Sequence, residues 1–315
     1  AELEYGVDGS VMNGLLGFEF TLYSQTITGL LLEVEEAPST GYTTKWANSG
    51  DMETNGMELD LVLNPVRTKS MNWVSRLSYY TTKSEITALN VDPFNTGGFA
   101  TFLGAYRIQE GWSPHTMVGS ELEDNGDHTV LGNETPDYIM GLNNRLQFGP
   151  FSLVAHIDIK VGGDIINLQK LISDLGGCTY DFDLGLVDSA GTLIPSRVGG
   201  AIPSGALDLN NDSLYTGNGN ERLTVLGGVT APYIEDGSYV RLSELSLNYD
   251  VPNSMLGGIV SSMQIGISAR DWWISTDYTG WNPDVSQFGN VAVGGSVDTG
   301  PYPMSKALYF NVSVG

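Results

Sequence analysis

Cysteine is almost missing from this chain: Cys178 is the single one among 315 residues. An internal disulfide framework and any multi-cysteine metal site are thereby excluded. Basic residues are scarce too, with 14 Lys and Arg against 37 Asp and Glu and a formal charge of −23. Without clustered cations to neutralise phosphate, nucleic acid is excluded as a partner. Long apolar runs are lacking as well, and nothing approaches the roughly 20 residues of a membrane helix. That excludes helical spans and leaves β-barrels open, because alternation dilutes their apolar residues. The opening AELEYGVDGS has neither a basic n-region nor an apolar h-region, so it is not a signal peptide. Either the protein is cytosolic, or an export signal lies further upstream.

What the chain does have is glycine (40), tyrosine (15) and period-two alternation. The final KALYFNVSVG places Leu308, Phe310, Val312 and Val314 on one face and Tyr309, Asn311, Ser313 and Gly315 on the other. Such a strand suits a half-buried sheet, or a barrel wall between lipid and lumen. Earlier, Leu16, Phe18, Phe20 and Leu22 oppose Gly17, Glu19 and Thr21, and Met57, Leu59, Leu61 and Leu63 oppose Glu58, Asp60 and Val62. Trp73, Leu77 and Tyr79 oppose Arg76, Ser78 and Tyr80. Residues 138–163 form a hairpin about the two-residue turn Gly149-Pro150. Between about residues 87 and 137 alternation is lost, and DIINLQKLISDLG is predicted to be a short helix stopped at Gly176.

About nine strands are counted in this way, and their links alternate in length. Those near 10–14, 64–71, 149–150 and 251–261 are short, and those near 32–49, 87–137, 164–236 and 277–303 are long. In an up-and-down meander, alternate links emerge at the same rim. The expectation is therefore an all-β, antiparallel, up-and-down transmembrane barrel with long extracellular loops and short periplasmic turns. Bacterial barrels have even strand numbers. An odd count, with the last strand ending in the periplasm and the first starting at the outside rim, predicts the C-terminal part of a larger barrel.

Several blocks then match a known family. GYTTKWANSGDMETNGMELDL, LGNETPDYIMGLNNRLQFGPFSL, VGGDIIN, DGSYVRLSELSLNYDVP and YTGWNPDVSQFG occur in the order of the corresponding blocks of the SusC/RagA family of TonB-linked outer-membrane receptors, which the chain resembles from about residue 1 to its end. The resemblance implies a plugged barrel of about 22 strands, in the outer membrane of a Bacteroidetes-type bacterium. Residues 1–315 would be its C-terminal portion, with the plug, the TonB box and the N-terminal strands outside this chain. It implies import of a bulky nutrient, an oligosaccharide or alternatively a peptide, under a SusD-like surface lipoprotein. TonB-ExbB-ExbD would drive transport through the N-terminal region. Two departures are visible: Asn282 stands where the family often has Asp, and the chain stops at Gly315 where a terminal aromatic is expected. The rival readings are a porin or siderophore-type receptor without a lipoprotein lid, and an extracellular β-rich binding module.

Asp208, Asn210 and Asp212 have the D-x-N-x-D spacing of a calcium loop, but Ser213 replaces the turn glycine and Glu221 lies beyond the usual twelfth position. A solvated acidic loop is the simpler reading, and no cofactor is expected. His115, His128 and His156 have no ligand partner at motif spacing, and no nucleophile elbow is present, so the chain is not expected to be an enzyme. Strand-end aromatics such as Trp73, Trp272 and Trp273 suit the girdles at membrane interfaces. Tyr106, Trp112, Tyr180 and Trp281 fall in long loops and are candidates to stack on sugar rings. Arg145, His156, Asp158, Lys160, Glu244 and Arg270 lie on the polar face and are candidates to line the passage.

Overall fold

Alternating segments have one way to satisfy their backbones while keeping an apolar and a polar face: lateral pairing with neighbours in register. The computed structural model shows this arrangement. It describes residues 1–100, 104–119, 129–179, 230–258, 260–285 and 295–315.

In chain order the strands are β1 (Glu2–Val11), β2 (Leu16–Glu35), β3 (Thr44–Arg67), β4 (Met71–Leu89), β5 (Phe94–Ala100), β6 (Gly104–Ile108), β7 (Thr116–Gly119) and β8 (Thr129–Asn133). Then come β9 (Pro136–Phe148), β10 (Phe151–Gly162), β11 (Asp164–Asn167), the helix α1 (Leu168–Leu175), β12 (Ile234–Asp236) and β13 (Tyr239–Asp250). β14 (Met263–Ser275), β15 (Val297–Asp298) and β16 (Ala307–Val314) complete the set. Nine of them form one antiparallel sheet in the order β1-β2-β3-β4-β9-β10-β13-β14-β16. This is a meander, as the alternation predicts. Its outer strands β1 and β16 pair on one side only, so the wall is partly closed.

Register places the two faces. Directly opposed residues share a face, so one row runs from Val7 and Phe20 through Leu59, Tyr79 and Met140 to Ile159 and Val240. A second row on that face joins Leu146, Leu153, Leu247, Ile267 and Phe310. The opposite face carries Asp60 beside Ser78, Asn143 beside His156, His156 beside Glu244, and Glu244 beside Arg270. A bulge at Ser243 preserves the sorting: Leu242 stays with Ile157 on the apolar face and Arg241 with Asp158 on the polar one.

Among the described residues, nothing covers the apolar face at its C-terminal strand. Phe310 is 77% exposed and Val312 61%. The chain's largest fully buried side chains lie elsewhere, above one rim. There the 4-stranded sheet β5-β6-β7-β8 and the 3-stranded sheet β12-β11-β15 meet α1. Phe99, Tyr106, Met117, Ile166, Leu168, Leu171, Tyr233 and Val297 form their common core.

Three expectations change. Residues 87–137 hold the 4-stranded sheet rather than irregular loop; its strands are short, and Gly97 and Gly104 at positive φ interrupt their alternation. The expected long link at 32–49 shrinks to residues 36–43, because β2 and β3 stay paired up to Glu35 and Thr44. A register shift beside Gly29, followed by the run Leu30-Leu31-Leu32, hides that pairing from a period-two reading. The helix begins at Leu168, not at Asp164: Ile165 and Ile166 are strand residues paired with β12, and the Asn167 side chain accepts from the Lys170 N–H at 2.9 Å as the N-cap.

The rim joint depends on glycine. Gly162 and Gly163 hold φ of 74° and 81°, a region costly for other residues. The Gly237 N–H donates to the Gly163 carbonyl at 3.1 Å, and a Cβ on Gly237 would lie 2.3 Å from that oxygen. Gly237→Ala is expected to destabilise the fold by about 2–4 kcal/mol. Thermal loss of heat-modifiable gel migration is the measurement; an unchanged midpoint would show that the joint yields.

Candidate functional site

Four of the five motif blocks, scattered in sequence, converge at this rim. From the GNETPD block, the Asn133 N–H donates to Asp164 Oδ2 at 2.7 Å. In the VGG block, the Gly162 N–H donates to Ser238 Oγ at 2.8 Å. From the DGSY block, the Ser238 hydroxyl donates to Asp236 Oδ1 at 2.6 Å, and the Ser238 carbonyl accepts from Thr276 Oγ1 at 2.7 Å. From the YTGWNPD block, Thr279 N–H donates to Glu235 Oε2 at 2.8 Å, and Glu235 also pairs with Lys170 at 2.8 Å. Burial raises the Asp164 carboxyl above the ordinary carboxylate range, against the lowering effect of the Asn133 amide. Burial, then the Asp298 carboxylate at 2.6 Å, holds the Tyr278 phenol far above its usual range.

Below the joint lies the polar face of the wall. Arg241, 8% exposed, donates to Asn282 Oδ1 at 3.1 Å, pairs with Asp284 at 3.3 Å and lies 4.6 Å over the Tyr239 ring. Asn282 also accepts from the Asp284 N–H at 3.1 Å. The amide that departs from the family's Asp therefore still closes the turn and still receives the guanidinium. Next along, the His156 Nε2 lies 2.9 Å from Asp158 Oδ1, and Ser243 Oγ donates to Asp158 Oδ2. Serine, histidine and carboxylate are thus together, but the carboxylate sits in the middle. His156 cannot take the Ser243 proton, so the order needed for nucleophile activation is absent here.

Of the residues proposed to line the passage, His156, Asp158, Glu244 and Arg270 share one polar patch. Glu244 is opposite both His156 and Arg270, and Arg270 stands 5.7 Å from the Tyr309 ring. Arg145 lies on the same face, opposite Val154 and Val74, and is exposed. Lys160 sits at the top of β10, opposite Tyr239 and Ile139. The aromatic candidates fare differently. Tyr106 is 0% exposed and packs edge-on against Phe99 in the rim core. It cannot stack on a ligand, and that expectation is corrected. A loop position suggested exposure, but Phe99, Met117 and Tyr233 form a core with this ring. Trp112 is half-buried, its carbonyl accepting from the Ile86 N–H at 2.9 Å. Trp281 is exposed. Tyr180, Asp208, Asn210 and Asp212 lie outside the described residues. Among the described residues no group of three His, Cys, Asp or Glu could hold a metal ion. Arg241 is a site residue that alternation alone missed, because the Ser243 bulge moves it across the period; its signal is the unpaired step in LSELSL.

Two outcomes follow. Arg241→Leu leaves the 278–284 segment without its cation, and amide exchange there is expected to speed up by about tenfold or more; unchanged exchange would show that Arg241 is not its anchor. Asp164 binds its proton more tightly in the folded state. Its contribution therefore stabilises the fold as pH falls through the raised folded pKa and is lost as pH rises. Asp164→Asn should flatten that part of the stability–pH curve while leaving the remainder in place.

No family model matches the chain. Among curated proteins it is similar to TonB-dependent receptor P3 of Formosa agariphila, 23% identical over 359 residues that cover 99% of this chain and 34% of that protein. It is likewise similar to TonB-dependent receptor P26 of the same organism, 24% identical with the same coverage. The chain thus spans about a third of the length of these relatives. Among solved structures it matches a chain of the RagAB peptide transporter, with a TM-score of 0.70, 18% identity, and coverage of 99% of this chain and 34% of that one. The RagAB peptide importer in its open-open state matches with a TM-score of 0.66. The chain is a homologue of TonB-dependent receptors with the fold of part of their β-barrel, in keeping with the SusC/RagA family that its motifs resemble.

Proposed function

We propose that this chain is part of the barrel wall of an outer-membrane, TonB-dependent importer of a bulky hydrophilic nutrient, working with a SusD-like surface lipoprotein. It performs no reaction of its own. The observation that carries this reading is the two-faced wall. A continuous apolar face across nine strands, with Phe310, Val312 and Phe148 well over half exposed, is far larger than a water-exposed patch on a soluble protein. It fits lipid, with Leu308, Phe310, Val312 and Val314 outward and Tyr309, Asn311 and Ser313 toward the lumen. The long links 90–135, 163–238 and 276–306 then lie on the extracellular side, and the C-terminal strand points to the periplasm.

For the cargo, the family resemblance favours an oligosaccharide, with the loop aromatics as candidates to stack on its rings. Burial of Tyr106 and partial burial of Trp112 remove much of that support. The polar face instead offers charges of both signs, with Arg76 bonded to Asp60 at 2.8 Å, Glu244 opposite Arg270, and His156 beside Asp158. That pattern suits a peptide, which can carry charges of both signs, and a peptide is the second reading. The structural neighbours named as peptide transporters support it at the level of fold.

Adjacent residues of β16 test the assignment of faces. In the intact receptor Phe310→Arg is expected to destabilise the barrel in lipid by about 2–4 kcal/mol, while Asn311→Arg changes stability little. Urea unfolding in liposomes reads the difference, and equal effects at the two positions would defeat the membrane reading. Uptake assays with labelled oligosaccharide and peptide then separate the cargoes.

A further inference from the structure

Two tryptophans stand side by side near the end of β14, and alternation along a strand sends them to opposite faces. Trp273 is opposite Leu242, on the apolar face. Ile274 is opposite Arg241 on the polar face, and Arg270 is opposite Glu244 there too. Trp272 falls two places from each of them, so its indole belongs to the polar face. The sequence puts both indoles in a girdle at the membrane interface; register keeps only Trp273 there. Trp272 is 48% exposed, and contact with lipid does not account for that surface.

The backbone is shaped to hold it. Between Leu242 and Glu244 the register shifts, and Asp271 and Trp272 together meet the single residue Ser243. Asp271 holds a φ of 50°, a region that residues other than glycine seldom occupy. Bulges of this kind re-aim the side chain beside them and are found next to working sites.

The surroundings of Trp272 define the ligand. Arg270, also exposed, is next along the polar face, and its guanidinium lies 5.7 Å from the ring of Tyr309, which is 51% exposed. Tyr309 is level with Ser268, and from there to Trp272 is at most about 13 Å of strand. A ligand of several rings therefore reaches both aromatics. Glu244 and Arg270, directly opposed, offset each other's charge while both keep hydrogen-bonding atoms. Flat apolar surfaces beside a few polar groups, with no net charge between them, match a neutral ring that has C–H faces and a hydroxyl edge. We infer that Trp272, with Tyr309 and Arg270, contacts the sugar rings of a neutral oligosaccharide inside the passage and helps to select such a cargo. The inference rests on the import reading above and adds to it a specificity-determining residue.

Uptake by cells carrying the intact receptor tests this, with a fluorophore-labelled pool of neutral oligosaccharides and a labelled pool of peptides of matched mass. Trp272→Ala is expected to lower oligosaccharide uptake about tenfold and to leave peptide uptake as it was. Trp272→Tyr should restore most of the loss, and Trp273→Ala should change neither pool, with heat-modifiable migration intact in all three. If Trp272→Ala fails to assemble, Trp272→Leu carries the same comparison, since it keeps apolar bulk and lacks a flat ring face. Quenching by brominated lipid separates the two faces: Trp273→Phe removes quenched fluorescence and Trp272→Phe does not. Undiminished oligosaccharide uptake without the Trp272 ring, equal loss of both pools, or uptake of peptides alone by the unsubstituted receptor would overturn the inference while leaving the import reading in place. So would quenching of Trp272 by lipid. Uptake of neither pool by the unsubstituted receptor would overturn the import reading and the inference together.

Discussion

The Gly237 amide reaches the Gly163 carbonyl because Gly237 carries no side chain, and several segments of the upper rim meet around that contact. It brings the start of β13 against the end of β10, which sets β12 beside β11. β11 in turn carries the buried Ile165 and Ile166 and ends in the cap of α1. The GNETPD turn is fastened to the same place through Asp164, so the 4-stranded sheet is anchored there too. Pieces of chain far apart in sequence are thus held by backbone contacts and short polar side chains as well as by the apolar core that their sheets share.

Below the joint a different economy operates. The wall has few fully buried side chains, and its stability comes from laterally paired backbones and from an apolar face matched to its surroundings. On the polar face the ionisable groups are arranged to satisfy one another. Asp158 is shared by Ser243 and His156, and Arg241 by Asn282 and Asp284. Arg145, opposite Val154 and Val74 on the same face, stays exposed.

Much of this was legible in the residues. Period-two alternation gave the strands, their number and their faces, because a strand between two media must sort its side chains. The elements that escaped are those in which another constraint outranks alternation. The bulge at Ser243 shifts Arg241 by one place, the three consecutive leucines at 30–32 straddle a register break, and β5–β8 are too short and glycine-rich to show a period. Tyr106 illustrates the same limit at the level of site residues. Nothing in its neighbours distinguishes an aromatic on a loop surface from one at the centre of a small core formed by distant segments. The rim joint was visible as a set of sequence blocks, but that these blocks touch is information about space that no single block contains.

The parallel pairing of β11 with β15, in which Ile166 meets Val297, has a kinetic consequence. Its two halves are separated along the chain by β13 and β14. Loop-closure entropy makes so non-local a contact slow to form and unfavourable until those strands are in register. The upper core is therefore expected to form late, after the wall beneath it. A mispaired wall would leave Val297, Ile166 and Tyr233 uncovered, and exposed apolar surface of that kind promotes aggregation.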